Sequence, residues 1–108
     1  MKTSPTQRSL KLMRDRGFIC QVVEKWNPFA KIRQDLMGWV DIVCISEHGI
    51  ILGVQTTTYK NIQARIKKAK GNEALRRWLI NNALVAHGWK KVTGHWVAVE
   101  VPLSGEMV

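Results

Sequence analysis

Residues 41–58 have the sequence DIVCISEHGIILGVQTTT, and this stretch decides the fold class. Two apolar runs flank the tripeptide Glu-His-Gly, a pattern typical of two β-strands joined by a tight turn. We therefore predict adjacent antiparallel strands at residues 39–46 and 50–57.

Polar residues interrupt this apolar hairpin near one end of the predicted sheet. Asp41 lies early in the first strand, and Gln55 and Thr57 lie late in the second. Side chains alternate between the two faces of a strand, so the hairpin register can place Asp41 opposite Gln55 or Thr57. A buried carboxylate needs a partner, which indicates a polar site at this point. Alternatives stay open, because Asp41 can pair with Arg33 or cap a turn, and the other two can be ordinary strand residues.

The other elements follow from capping residues and from hydrophobic periodicity. Ser4 and Pro5 are a typical N-cap and first helical residue, and they begin a predicted helix at residues 5–16 that Gly17 ends. The remaining predicted elements are a strand at 18–26, a loop at 27–38, helices at 59–70 and 73–80, and strands at 83–92 and 95–101. The resulting order is α-β-β-β-α-α-β-β, which predicts an α/β fold.

Length and composition favour one folded domain with an anionic partner. The chain has 108 residues, of which 45% are hydrophobic, and we expect one domain with flexible tails at residues 1–3 and 103–108. Its 17 Lys and Arg outnumber its 8 Asp and Glu, so the net charge of +9 favours nucleic acid over other partners.

No apolar run reaches the ~20 residues that cross a bilayer, so we expect no membrane partner. Cys20 and Cys44 lie in apolar segments, which predicts buried free thiols in a reducing cytosol.

Asp41 within WVDIVCI and residues 55–57 within GVQTT carry a resemblance to a known superfamily. The chain resembles the PD-(D/E)XK, or restriction-endonuclease-like, nucleases over residues 4–101, and especially their Holliday-junction-resolvase-like and VRR-NUC-like branches from phages and prokaryotes. Their signature is an Asp at the start of the second core strand and a Glu-x-Lys late in the third. The resemblance implies a core with a central mixed sheet flanked by helices, and hydrolysis of DNA phosphodiesters with Mg²⁺ or Mn²⁺.

The match to this signature is partial. Asp41 matches the Asp, but Gln55 stands at the Glu position and Thr57 at the Lys position. A supplementary acid on the first helix of the superfamily corresponds here to Gln7, which can instead belong to a capping box with Ser4. A Gln ligand brings an oxygen without a negative charge, so weaker metal binding is expected.

Roles for individual residues follow from the resemblance. Asp41 would bridge the metal, Gln55 would be a second metal ligand, and Thr57 would orient the attacking water. Asp35 or Glu24 would add a further acid to the metal site. From the residues alone, Asp35 can also be a turn residue, and Glu24 can be an exposed partner of a neighbouring cation.

Basic residues near these acids are the expected DNA contacts. Lys60 follows Thr57 by three residues, and we expect it to replace the missing catalytic lysine, with Lys25 and Lys31 as alternatives. The predicted contacts to DNA phosphates are Lys31, Arg33, Lys60, Arg65, Lys67 and Lys68. Such a cluster can also be the solvated face of a helix.

Three hypotheses for function result. The first is a divergent metal-dependent DNA nuclease, structure-specific for branched DNA, which acts in the bacterial or phage-infected host cytosol and forms the homodimer common in the resolvase branch. The alternative is a catalytically inactive nuclease-fold module for DNA binding or interaction, and the third is a basic protein-binding adaptor. Trp26 and Trp39 flank the loop before the predicted site, where they can stack on unpaired bases or belong to the core.

Overall fold

A mixed five-stranded sheet is the centre of the computed structural model, which describes residues 3–108. The strands lie in the order β1-β4-β5-β6-β7, with β5 and β6 parallel and the other neighbours antiparallel. The main elements are α1 (Pro5–Asp15), β1 (Ile19–Val22), β2 (Lys25–Asn27), β3 (Ile32–Gln34), β4 (Ile42–Ile45), β5 (Ile51–Thr58), α2 (Ile62–Lys68), α3 (Glu73–Asn81), β6 (Ala83–Val92) and β7 (His95–Pro102). This architecture confirms the predicted α/β class with a central mixed sheet and helices.

The predicted hairpin is β4 paired with β5. The register runs from Ile45 opposite Ile51 to Ile42 opposite Val54. One residue beyond that last pair, the Asp41 N–H still donates to the Val54 carbonyl at 2.9 Å. The Asp41 carbonyl accepts the Val23 N–H at 2.8 Å on the other side, so Asp41 lies at the start of β4, between the chain after β1 and the carboxyl-terminal half of β5.

Helices cover both faces of this sheet and form two apolar clusters. On one face, Leu10 and Met13 of α1 pack with the buried side chains of Cys20, Ile42, Cys44, Val54 and Val85. On the other, α2 and α3 contribute Ile62, Ile66 and Leu75 to a cluster with Trp39, Val40, Leu84 and Ala86. Gly88 of β6 allows the close approach of α2, because a Cβ there would lie 2.9 Å from Cδ1 of Ile62. α2 therefore packs closely on the sheet beside the end of β5, where Gly88 lies opposite Thr57.

A buried polar network fastens α1 to β6. The Trp89 indole N–H donates to Oγ of Ser9, and the same Oγ forms a hydrogen bond of 2.9 Å with Nδ1 of His87. Nε2 of His87 lies 3.2 Å from Glu100, which Arg16 holds with two hydrogen bonds of 2.6 and 2.8 Å. Burial lowers the pKa of His87 and keeps the ring neutral. Ser9 and His87 are fully buried, so this Ser-His-Glu arrangement has a structural role.

The segment between the first and second predicted strands differs from the expectation. The predicted strand at residues 18–26 is divided, because the Val23 N–H donates to the Asp41 carbonyl at 2.8 Å and the chain then leaves the main sheet. The predicted loop at 27–38 contains β3, which pairs with β2 in a separate two-stranded sheet. Pro28 and Gly38 favoured a loop in the sequence, and residues 25–34 lack the alternation of apolar and polar side chains that would predict strands. The backbone of this segment nevertheless pairs locally and forms a hairpin.

Smaller differences concern the ends of elements. The predicted helix at 59–70 begins with a 3-10 turn, Tyr59–Asn61, and its α-helical part ends at Lys68. In the segment at 103–108, expected to be a flexible tail, Leu103 and Val108 are buried against the cluster under α2 and α3. The other expected tail, residues 1–3, lies outside the described residues except for Thr3, which is exposed.

Cys20 and Cys44 are cross-strand neighbours, and both are buried free thiols with Sγ atoms 3.1 Å apart, as predicted. Between residues 3 and 108, no helix is long and apolar enough to cross a membrane.

Candidate functional site

A polar cleft of about 250 Å³ opens where β4 begins and β5 approaches its carboxyl end. The β2–β3 hairpin forms one wall and α2 forms another. The residues that line the cleft are Glu24, Arg33, Asp35, Asp41, Gln55, Thr56, Arg65 and Lys68. Seven of these eight residues were predicted from the sequence as ligands or DNA contacts, and the exception is Thr56.

Three carboxylates meet in this cleft. One oxygen from each of Glu24, Asp35 and Asp41 lies within 4.8 Å of the others. The β2–β3 pairing explains the convergence, because Lys25 lies opposite Gln34, and Glu24 and Asp35 are the next residue on each side. Asp41 arrives from the start of β4. Three acids separated along the chain therefore share one site.

Asp41 is the buried member of this cluster. Only 3% of its surface is exposed, and its Oδ2 accepts the Thr56 N–H at 2.8 Å and the Thr56 hydroxyl at 3.2 Å. The Thr56 hydroxyl lies 2.8 Å from that of Thr6, which extends the chain of hydrogen bonds to the start of α1. These bonds hold the Asp41 carboxyl group in a single orientation.

The surroundings of Asp41 oppose its ionisation. Burial is the largest cause, and a hydrogen bond with Asp35 and the negative charges of Asp35 and Glu24 add to it. Together they raise the pKa of Asp41 to about 8. The Thr56 N–H acts in the opposite direction. A positive charge placed among these oxygens would cancel the repulsion between the carboxylates and stabilise the ionised form of Asp41, so the cluster favours a cation.

Gln55 provides a neutral oxygen to the same cleft. It is 1% exposed, and its amide Nε2 donates to the Trp39 carbonyl at 2.5 Å. Because a carbonyl oxygen can only accept a hydrogen bond, the Gln55 atom that faces it is the amide nitrogen. The amide oxygen, Oε1, is therefore the atom available to a ligand. Among the hydrogen bonds of the described residues, none involves Oε1 of Gln55.

Three cations balance the three acids. Arg33 lies 3.1 Å from Glu24, and Nζ of Lys68 lies 3.9 Å from Asp35. Arg65 lines both this cleft and an adjoining one of about 370 Å³. Within residues 3–108, Asp41 has no ion pair with any cation. Carboxylates and cations side by side can hold a metal ion and a phosphate together.

Other predicted site residues lie outside this cleft. Thr57 is buried and lines the adjoining cleft, which Thr56 and Thr58 also border. Lys60 lies on the exposed 3-10 turn and lines neither cleft, so the structure does not bring it to the acids. Gln7 is exposed, and its N–H donates to the Ser4 hydroxyl at 3.1 Å, which is half of the capping box.

The remaining predicted contacts are exposed at the margins. Lys31 lies in the turn of the β2–β3 hairpin with a φ of 54°, and Lys67 is exposed on α2. Lys25, an alternative for the missing lysine, is exposed at the start of β2 and lines neither cleft. The two tryptophans that flank the loop before the site differ in burial. Trp39 is fully buried and its indole N–H donates to the Arg65 carbonyl, whereas Trp26 is 58% exposed.

Two threonines at the site were missed in the sequence. Thr56 lies between the two residues matched to the superfamily motif, and alternation along the strand suggested the opposite face. Its backbone N–H and its hydroxyl nevertheless both donate to Oδ2 of Asp41. Thr6, one residue before Gln7, is the α1 residue linked to the site. For Thr56 the only signal in the sequence was the TTT run at residues 56–58, and no pattern singled out Thr6.

Comparisons with protein-family models, with curated proteins and with solved structures each found no match to this chain. The geometry of the cleft therefore carries the functional argument.

Proposed function

We propose that the protein is a divergent metal-dependent DNA nuclease of the PD-(D/E)XK type. The observation that carries this proposal is the buried Asp41 among two further carboxylates and the free oxygen of Gln55, in a cleft that three cations also line. The test is incubation with linear, nicked and four-way DNA, with and without Mn²⁺. Metal-dependent cleavage supports the proposal, and no cleavage of any substrate opposes it.

The donor set of the cleft suits Mg²⁺ or Mn²⁺. All four candidate ligand groups are oxygens, the type that these hard cations prefer. Asp41, Asp35 and Glu24 would hold the ion through carboxylates, and Gln55 would add its amide oxygen. Such an ion, when bound, polarises a phosphate and lowers the pKa of an attacking water.

Protein groups would perform the remaining tasks. Arg33 and Lys68 now pair with Glu24 and Asp35, and a cation in the cleft would release both for contact with DNA phosphate. Among residues 3–108, Lys68 is the lysine that forms an ion pair with one of these acids, so we assign it the catalytic part that Lys60 was expected to play. Thr56 holds the Asp41 carboxyl in place through its N–H and hydroxyl.

A catalytically inactive DNA-binding module is the second candidate. The specific observation in its favour is that Glu24 and Asp35 already have cationic partners without any metal. Metal binding separates the two candidates, because an inactive module that keeps these ion pairs has no need of the ion. Both candidates keep the basic surface for DNA phosphates.

Gln55→Glu is expected to tighten Mn²⁺ binding about tenfold, because a carboxylate adds one negative charge to the ligand set. Isothermal titration calorimetry with Mn²⁺ measures the change. Gln34→Glu is the matched control, since it adds the same charge at an exposed position on β3 that does not line this cleft. Equal affinities for Gln55→Glu and wild type would remove Gln55 from the ligand set.

Lys68→Ala is expected to lower the rate of DNA cleavage about 10²-fold, the scale for loss of one preorganised charge near the reacting phosphate. Lys60→Ala is the control, because it removes the same charge from an exposed turn outside the cleft. Single-turnover cleavage with saturating enzyme reports the rates. A large loss in Lys60→Ala with none in Lys68→Ala would restore the original assignment.

A further inference from the structure

We propose that the β2–β3 hairpin recognises unpaired bases of DNA by stacking them on Trp26 and Phe29, beside the cleft. This inference rests on the proposed nuclease function and adds the substrate class. DNA with a single-stranded gap or fork would be preferred over an intact duplex. A perfectly paired four-way junction would gain nothing from these contacts.

The shape of this hairpin is fixed by its own hydrogen bonds. β2 and β3 pair with each other in a two-stranded sheet separate from the main one. At the turn, the Asn27 side-chain oxygen accepts the N–H groups of Phe29 and Ala30 at 3.0 and 3.1 Å. Lys31 completes the turn with a left-handed φ of 54°. The turn is thus held without any need to bury Phe29.

Large apolar side chains are exposed along this hairpin. Phe29 at the tip is 97% exposed, Trp26 is 58% exposed and Ile32 is 50% exposed. Single exposed apolar residues are common on protein surfaces, but three within seven residues of one hairpin indicate contact with a partner. Two of the three are aromatic, which is the type of side chain on which bases stack.

The charge of the hairpin selects a nucleic acid as that partner. Residues 25–34 include Lys25, Lys31 and Arg33 and contain no acidic residue. A second copy of this chain would bring the same positive charges to the contact, on a protein with a net charge of +9. Aromatic side chains interleaved with cations match the bases and the backbone of a single strand.

The position of the hairpin connects these contacts to the cleft. Glu24 precedes β2 directly, and Asp35 follows β3 directly. Trp26 is the cross-strand partner of Arg33, so the two side chains share a face, and Arg33 lines the cleft. Since a strand rises about 3.3 Å per residue, Trp26 lies about 7 Å along the chain from Glu24. A base stacked there would belong to a nucleotide close to the phosphate in the cleft.

Unpaired bases are the chemical feature that such a hairpin can select. In an intact duplex both faces of each base are covered by its neighbours, so an aromatic side chain reaches them only after unstacking. In a gap or fork that barrier is absent. Selection would therefore come from the structure of the DNA and be tolerant of its sequence.

The experiment compares two DNAs of the same sequence, an intact duplex and one with a short single-stranded gap. Fluorescence anisotropy without divalent ions measures both affinities. We expect wild type to bind the gapped DNA about tenfold more tightly, and the double variant Trp26→Ala/Phe29→Ala to lose that preference with little change for the duplex. Ile50→Ala/Ile80→Ala is the control, because both isoleucines are exposed apolar residues outside the hairpin.

Each outcome separates this proposal from the nuclease proposal. A double variant that keeps the gap preference overturns the hairpin proposal, and the nuclease proposal then stands on Mn²⁺ binding and cleavage. If the preference is lost but wild type binds no Mn²⁺, the hairpin contact stands and the nuclease function fails. A wild type that shows no gap preference overturns the hairpin proposal directly. Sedimentation that shows a wild-type dimer dissociated by the double variant also overturns it, in favour of an interface between copies.

Discussion

Asp41→Asn is expected to abolish Mn²⁺ binding and to lower DNA cleavage about 10³-fold, at the upper end of the loss for one preorganised group. The physical reason is the central place of Asp41, which is buried and lies within 4.8 Å of the oxygens of both other acids. Asn keeps the size of the side chain and an oxygen that can accept from Thr56, so the fold is retained. Asn removes only the ability to ionise and one metal-binding oxygen.

Two measurements make this prediction specific. Calorimetry with Mn²⁺ reports metal binding, and anisotropy without divalent ions reports DNA affinity. This affinity should stay equal at neutral pH, where the metal-free Asp41 carboxyl is largely protonated, and rise above pH 8, where the variant lacks a negative charge that wild type carries. Asp15→Asn is the matched control, since Asp15 is an exposed carboxylate at the end of α1 that pairs with Lys11. Cleavage by Asp41→Asn at the wild-type rate would place the activity elsewhere and favour the inactive-module hypothesis.

The metal-free protein is expected to lose about 3 to 5 kcal/mol of unfolding free energy between pH 4 and pH 8 through Asp41 alone. An unfolded Asp titrates near 3.8, whereas burial and its acidic neighbours raise the pKa of Asp41 to about 8 in the fold. Between these values the folded state holds a proton that the unfolded state has released. Stability is therefore full below the lower value and falls until the pH passes the higher one.

Urea unfolding in the presence of a chelator measures this loss. Other groups titrate in the same range, so the informative quantity is the difference between wild type and Asp41→Asn at pH 5 and at pH 8. The variant has no carboxyl at this position and should be the more stable protein at pH 8. Parallel pH dependence of the two proteins would show that Asp41 titrates normally.

Metal ions should reverse the effect in wild type. Mn²⁺ stabilises the ionised carboxyl, so its addition should raise the unfolding free energy more at pH 8 than at pH 5, where protons compete for the same oxygens. The same ion should leave Asp41→Asn nearly unchanged. This readout is independent of cleavage and therefore tests the site even in the inactive-module hypothesis.

Local sequence was sufficient for the framework of this fold. Ser4 and Pro5 determined where α1 begins, because the capping interaction involves only neighbours in the chain. The apolar runs around the Glu-His-Gly turn determined β4 and β5 and their pairing, because a short turn limits the register to a few choices. The position of Asp41 at the end of the sheet followed from that pairing.

The tertiary structure alone decided which side chains share the cleft. Glu24 and Asp35 meet only because residues between them form a hairpin, and its exposed strands lack the apolar alternation that would predict it. The sequence favoured Lys60 as the replacement for the catalytic lysine and gave Lys68 only as a contact to DNA phosphate. The 3-10 turn after β5 keeps Lys60 outside the cleft, whereas the position of Lys68 at the end of α2 brings its Nζ to 3.9 Å from Asp35. Convergence of distant residues depends on the directions of whole elements, which are set by core packing, and no local pattern contains that information.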